Sequence, residues 1–258
     1  MTLTELLQHY SFVVTPLQLT LLFFIVFLAA IVRGAIGFGF SAIVVASTSF
    51  WLPPIASVCL TVILEVIASL IMFRGVQKDV DYKLLIPLSL GTLLATLVGV
   101  SLLAVISPEL LQILIALYLA TICALTLIQF KLKPNPSTLR VGIAGAITGI
   151  INGMSAMGGL FVAFFMTGSN LPVATIRATM VVYFLVIEFA FLSSAFINQI
   201  YTMKIFWTSI AMAPALLMGI AIGTRLFNRL PEQKIKQFIL YSLIALSAFG
   251  LIKTLLSG

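Results

Sequence analysis

The chain has 258 residues, of which 62% are hydrophobic and only 8% charged. A soluble domain carries roughly 25% charged residues to keep its surface wet, so the outside of this chain must face lipid. Its net charge of +7 lies in short loops between apolar runs, as the positive-inside rule places it; there is no basic stripe with interleaved aromatics, which excludes nucleic acid as a partner.

Ahead of the first apolar run the only side chains that titrate near or below neutral pH are Glu5 and His9. The run from Pro16 to Val32 lacks a cleavage signal and leads straight into another, so it reads as a membrane segment and not as a removed signal peptide. A crossing helix needs about 20 apolar residues. Residues 17–52 are too many for one crossing, and Arg33, Gly34, Gly37 and Gly39 interrupt them. They read as two short helices joined at Arg33-Gly34-Ala35-Ile36-Gly37-Phe38-Gly39-Phe40-Ser41. Three ordinary crossings follow at 53–73, 84–105 and 109–130, then a polar linker from Lys131 to Thr138 that contains Pro134 and Pro136. Residues 141–170 form a second interrupted region, broken at Thr148-Gly149-Ile150-Ile151-Asn152-Gly153-Met154-Ser155-Ala156-Met157-Gly158-Gly159. Crossings at 172–198, 204–226 and 235–256 complete the chain. Cys59 and Cys123 lie inside apolar runs and read as small buried hydrophobes.

Loop charges decide the path of the interrupted regions. If each enters and leaves the membrane on one side, ten basic residues share a face: Arg74, Lys78, Lys83, Lys131, Lys133, Arg140, Arg225, Arg229, Lys234 and Lys236. Lys204 and Lys253 lie opposite. If each were a single crossing, the loops 131–140 and 225–236 would fall on opposite sides, against the positive-inside rule. The hairpin reading makes the basic face cytoplasmic and puts both termini outside.

The same reading exposes a repeat. Glu65 matches Glu188 and Pro108-Glu109 matches Pro231-Glu232 at an offset of 123, while Gly99 matches Gly223 at 124 and Pro54 matches Pro172 at 118. The expected fold is an all-α polytopic membrane protein of two inverted repeats, residues 1–133 and 134–258. Each is a short re-entrant hairpin plus three crossings, an odd number that inverts the second copy.

Interrupted helices at matching places in inverted repeats point to a transporter's binding site. Breaking a helix in lipid frees backbone groups that only protein, water or ligand can satisfy; freed N–H groups at a helix start favour an anion. The competing reading is that the glycines only allow close helix packing. Candidate substrate ligands are Arg33, Gly34, Gly37, Gly39, Ser41, Asn152, Ser155, Gly158, Gly159, Arg177 and Tyr183. Arg33 is either a cationic anchor with an oxyanion-matching fork or an interfacial arginine reaching for headgroups. Arg177 is either a ligand or a boundary charge. Glu65 and Glu188 are candidate proton or ion carriers, the alternative being structural pairing, for example of Glu65 with Arg33.

The run Gly34 to Phe40 resembles the first-half motif of the sulfite exporter TauE/SafE family of bacterial membrane permeases. The run Gly149 to Gly159, followed by Pro172 and Arg177-Ala178-Thr179-Met180-Val181-Val182-Tyr183-Phe184-Leu185, resembles its counterpart. The likeness extends over nearly the whole chain after residue 17. It implies a multi-pass protein of the bacterial inner membrane that moves a small organosulfur anion such as sulfite, a sulfonate or a sulfoacetate-like compound. The expected mechanism is alternating access, the halves rocking about a midplane site with proton coupling. Rival readings are a passive anion channel and a permease for a non-sulfur organic anion. An enzyme is not expected: Ser155 would need a histidine base, and the one histidine, His9, precedes the membrane segments. The expected partners are the small anion, the bilayer and, as the candidate assembly, a second copy of the chain; neither metal nor cofactor is implied.

Overall fold

The computed structural model describes residues 15–48, 51–128, 137–167 and 171–235, with scattered helical residues from 237 to 252. Most of the linker from Lys131 and most of the last expected crossing, 235–256, lie outside the described residues. Nine α-helices with defined bounds are described: α1 Pro16–Ile36, α2 Phe40–Thr48, α3 Pro54–Val76, α4 Tyr82–Val105, α5 Pro108–Leu127, α6 Thr138–Ser155, α7 Gly159–Thr167, α8 Val173–Ile197 and α9 Met203–Arg229. Five are long and apolar enough to cross a membrane, and the protein is an all-α polytopic membrane protein. Leucines such as Leu17, Leu28, Leu94 and Leu117 point outward among other exposed apolar side chains, as a lipid-facing surface requires.

Polar side chains set where the helices start. Thr15 and Gln18 form a capping box on α1, the Asp81 carboxylate accepts from the Lys83 and Leu84 N–H groups at α4, and Ser107 and Thr202 accept from the first turns of α5 and α9. These caps satisfy N–H groups that a helix start leaves without partners.

Both interrupted regions break where expected, at residues 37–39 and 156–158, but their arms are unequal. α1 has 21 residues and α2 only nine; α6 has 18 and α7 nine. At 1.5 Å per residue α1 reaches about 31 Å, so the expectation of two short arms is corrected: the first arm is long and only the second is short. The left-handed turn, not the first glycine, ends the helix, and α1 continues through Gly34.

The packing interlocks the two sequence halves. The two most extensive helix pairs are α4 with α6 and α1 with α9, so the long arm of each hairpin lies against the second crossing of the other half. α3 and α8 pack together between these pairs, and each also touches the other half's second crossing. Glycines make both seams close. A Cβ on Gly34 would sit 2.6 Å from the Ile220 carbonyl oxygen, and one on Gly223 would lie 2.9 Å from the Gly34 Cα. Gly99 and Gly153 meet the same way in the α4–α6 seam, with a Cβ on Gly99 2.9 Å from the Gly153 Cα.

Candidate functional site

The first break closes α1 with Gly37 in the left-handed region, φ 85°, its N–H donating to the Arg33 carbonyl at 2.8 Å. Gly39 follows at φ 90°; an L side chain is disfavoured at both. Arg33 is fully buried and does not reach for headgroups. Its Nη1 donates to the Gly37 carbonyl, its Nη2 donates to Ser69 Oγ at 2.8 Å, and its Nε lies 3.1 Å from Glu65 Oε2. The guanidinium carbon stands 4.3 Å from the centre of the Phe184 ring, the geometry of a cation–π contact. The Glu65 carboxylate, also fully buried, faces the backbone N–H of Ser41 in the first turn of α2. Its contact with Nε is that of an ion pair without hydrogen-bond alignment.

The second break repeats this plan with one exchange. Ala156 ends α6 in the left-handed region at φ 55°, its N–H donating to the Asn152 carbonyl at 2.7 Å. Arg33 and Asn152 thus each stand four residues before the left-handed residue, and each side chain reaches the matching glutamate on the crossing that follows. Asn152 Nδ2 donates to Glu188 Oε1 at 3.3 Å. Glu188 Oε2 and Asn152 Oδ1, both buried, have no hydrogen-bond partner among the described residues. Ser155 Oγ donates to the Ile151 carbonyl at 2.8 Å and accepts from the Met157 N–H. Tyr118 of α5 staples the break from outside, donating to the Met157 carbonyl and accepting from the Phe161 N–H, both at 3.0 Å.

The two breaks meet on Phe184. Arg33 covers one part of its ring, and a Cβ on Gly159 would overlap its Cζ. Linked to Arg33 at this ring are two carboxyls and an amide, all buried: Glu65 beside its Nε, Glu188 acting on both, and Asn152 donating to Glu188. The two glutamates are close enough to act on one another electrostatically, and Arg33 acts on both.

Arg177 of α8 reaches the end of α1 just before the first break. Its Nε and Nη2 donate to the Gly34 carbonyl at 3.1 and 2.7 Å, Nη2 also donates to Thr224 Oγ1, and its guanidinium carbon lies 4.4 Å from the centre of the Phe227 ring. A Cβ on Gly37 would touch the Arg177 backbone. Arg177 also lines a cavity of about 580 Å³ at the ends of α3 and α9, together with Thr224, Arg225 and Asn228. These are the ends that carry Arg74 and Arg229, on the basic face. The opposite wall is apolar, with Ile71, Met72 and Leu217.

The structure therefore gathers Arg33, Glu65, Ser41, Asn152, Glu188, Gly37, Gly158 and Gly159 around or beside the paired breaks. Tyr183 is buried next to Phe184, its hydroxyl 2.8 Å from Thr92 Oγ1, and Thr92 in turn donates to the Gly145 carbonyl. Gly34 serves the α1–α9 seam and supplies the carbonyl that Arg177 grips. Gly158 lets the break approach α6, since a Cβ there would sit 2.7 Å from the Thr148 carbonyl oxygen. Nothing in the sequence sets Ser69, Thr92, Tyr118 and Thr224 apart, and Phe184 stands there only as part of the family-like run. Single hydroxyls and aromatics inside apolar helices are too common to stand out, and only their long-range contacts mark them. The profile of the family described as sulfite exporter TauE/SafE matches residues 22–250. Neither a curated protein nor a solved structure matches the chain.

Proposed function

The chain belongs to the sulfite exporter TauE/SafE family, whose members are membrane transporters of sulfite or related anions, and from that premise we propose that it is a secondary carrier of a small organosulfur anion in the bacterial inner membrane. Sulfite, sulfonates and sulfoacetate-like compounds form the substrate class. The anion enters from the basic face through the cavity lined by Arg177 and Arg225 and reaches the paired breaks, where a buried carboxyl carries a proton. One observation carries the reading: two broken helices meet on a single ring, among a buried arginine, two buried glutamates and an asparagine. Charges inside a membrane protein are costly and mark transport pathways, and a purely structural protein has no need of four such groups together.

The test is flux into proteoliposomes. Uptake of sulfite and of methanesulfonate is expected to saturate and to accelerate under a pH gradient. Arg177→Gln, which removes a charge-assisted ligand worth about 1.5–3 kcal/mol, is expected to lower kcat/KM by roughly tenfold to a hundredfold. Flux that neither saturates nor responds to the gradient would leave a passive channel as the better description.

Orientation belongs to the same proposal: the basic face is cytoplasmic and both termini are periplasmic. Alkaline phosphatase fused after Gly258 is expected to be active in cells, and a fluorescent protein fused there to stay dark. The reverse pattern would turn the assignment over.

A further inference from the structure

Resting on the transport reading above, we infer that Glu65 occupies the substrate's own seat: its carboxylate is a built-in stand-in for the transported anion, displaced when a proton and an anion arrive together. The seat has two cationic walls. One is the Arg33 guanidinium, with Nε 3.1 Å from Glu65 Oε2. The other is the start of α2, a nine-residue helix whose first-turn N–H groups have no helical partner and whose Ser41 N–H faces the carboxylate. A helix start beside a guanidinium is a site for an oxyanion, and a carboxylate already fills it.

The hold on that carboxylate is loose. Arg33 turns Nη1 to Gly37 and Nη2 to Ser69, and the nitrogen beside Glu65 is Nε, in a contact that lacks hydrogen-bond alignment. Neither Glu65 oxygen has a well-formed hydrogen bond among the described residues. The guanidinium is fixed to the break while its anion is exchangeable. The second half lacks such a seat, because Asn152 brings no charge to Glu188.

Charge balance sets the stoichiometry. The titratable groups that act on Glu65 are Arg33 from α1 and Glu188 from α8, while Arg177 of α8 acts on Arg33. α2 carries no titratable side chain between Phe40 and Thr48, and the charged residues of α9, Lys204, Arg225 and Arg229, sit at its two ends. When a proton neutralises Glu65 and a monovalent anion takes its place, the total charge of the buried cluster is unchanged. A proton with a divalent anion would add an uncompensated buried charge, which is strongly disfavoured. The carrier therefore moves one proton with one monovalent anion and favours sulfonates and hydrogensulfite over sulfate.

The experiment measures binding of methanesulfonate and of sulfate to the full chain in phosphatidylcholine nanodiscs, by thermal shift between pH 8 and pH 5. In wild type the apparent Kd for methanesulfonate is expected to tighten at least about tenfold as the pH falls, with sulfate binding weaker throughout. In Glu65→Ala, methanesulfonate is expected to bind at pH 8 as tightly as to wild type at pH 5, with no pH dependence. Glu65→Gln provides the same readout if the alanine variant does not fold. Wild-type affinity that is flat in pH, a Glu65 variant that keeps the wild-type profile, or equal affinity for sulfate would overturn the inference and leave the transport reading standing. Failure of any anion to bind wild type at either pH would overturn both.

Discussion

Glu65→Leu is expected to destabilise the protein by about 3–5 kcal/mol in the absence of substrate anion, the range for removing one partner of a buried ion pair. Arg33→Met is expected to do less damage, although it deletes more contacts. The reason is an asymmetry between the partners. A carboxylate stripped of its cation can take up a proton and become neutral, whereas a guanidinium cannot give one up. Arg33 without Glu65 remains charged and buried, with Phe184 and the more distant Glu188 as its compensation. The double variant Arg33→Met/Glu65→Leu should recover much of the loss, because an apolar pair of similar size tolerates the site. Reversible unfolding in mixed micelles, read as a double-mutant cycle, checks this. Additive single effects, or a larger loss for Arg33→Met than for Glu65→Leu, would count against a coupled pair.

The second large effect is expected at the glycine seams. Gly223→Ala places a methyl group on the Ile31 carbonyl oxygen, and Gly91→Ala places one on the Gly142 carbonyl oxygen. Backbone cannot swing aside as a side chain can, so the helices must separate. Overpacking of this kind costs about 1–3 kcal/mol. Gly75→Ala is the matched control. Nothing lies within 4 Å of the added Cβ, the site is in the last turn of α3, and the better helix propensity of alanine should contribute up to about 1 kcal/mol of stability. Melting temperatures of the three variants in one detergent give the comparison. A neutral Gly223→Ala would mean that the α1–α9 seam is looser than its glycines imply.

Much of this arrangement is legible in the chain because lipid makes polar and flexible residues conspicuous. Arg33, Glu65, Asn152 and Glu188 stand out as the costly groups within their apolar runs, and all four come together. The breaks are announced by Gly37 and Gly39 in the first half and by the run ending at Gly158 and Gly159 in the second. Their arm lengths are less readable, because a long apolar run does not reveal which residue turns left-handed. Ala156 does so without being glycine. Nor do the glycines declare their separate tasks. Gly34 and Gly153 look like parts of the breaks, but in space they line seams with the opposite half, so the packing reading holds for them while the turn reading holds for Gly37 and Gly39. The choice of partner helix is equally silent: helices that are apolar on every side have no single face that dictates a neighbour, so the crossing of α1 to α9 and of α6 to α4 emerges only in three dimensions. Arg177 is visible as a charge near a helix start, yet nothing local in the sequence ties it to the Gly34 carbonyl 143 positions earlier.

The exchange of long arms has a mechanical consequence. A rigid tilt of residues 1–133 against residues 134–258 would have to tear α1 from α9 and α4 from α6 at once, where carbonyls and glycine Cα atoms are in contact. The parts able to shift as units are the two clasped pairs, each made of one helix from either half, with α3 and α8 as the sliding surface between them. The two buried glutamates ride on that surface while Arg33 and Asn152 belong to the clasps, so small slippage there changes which groups face each other without disturbing either clasp.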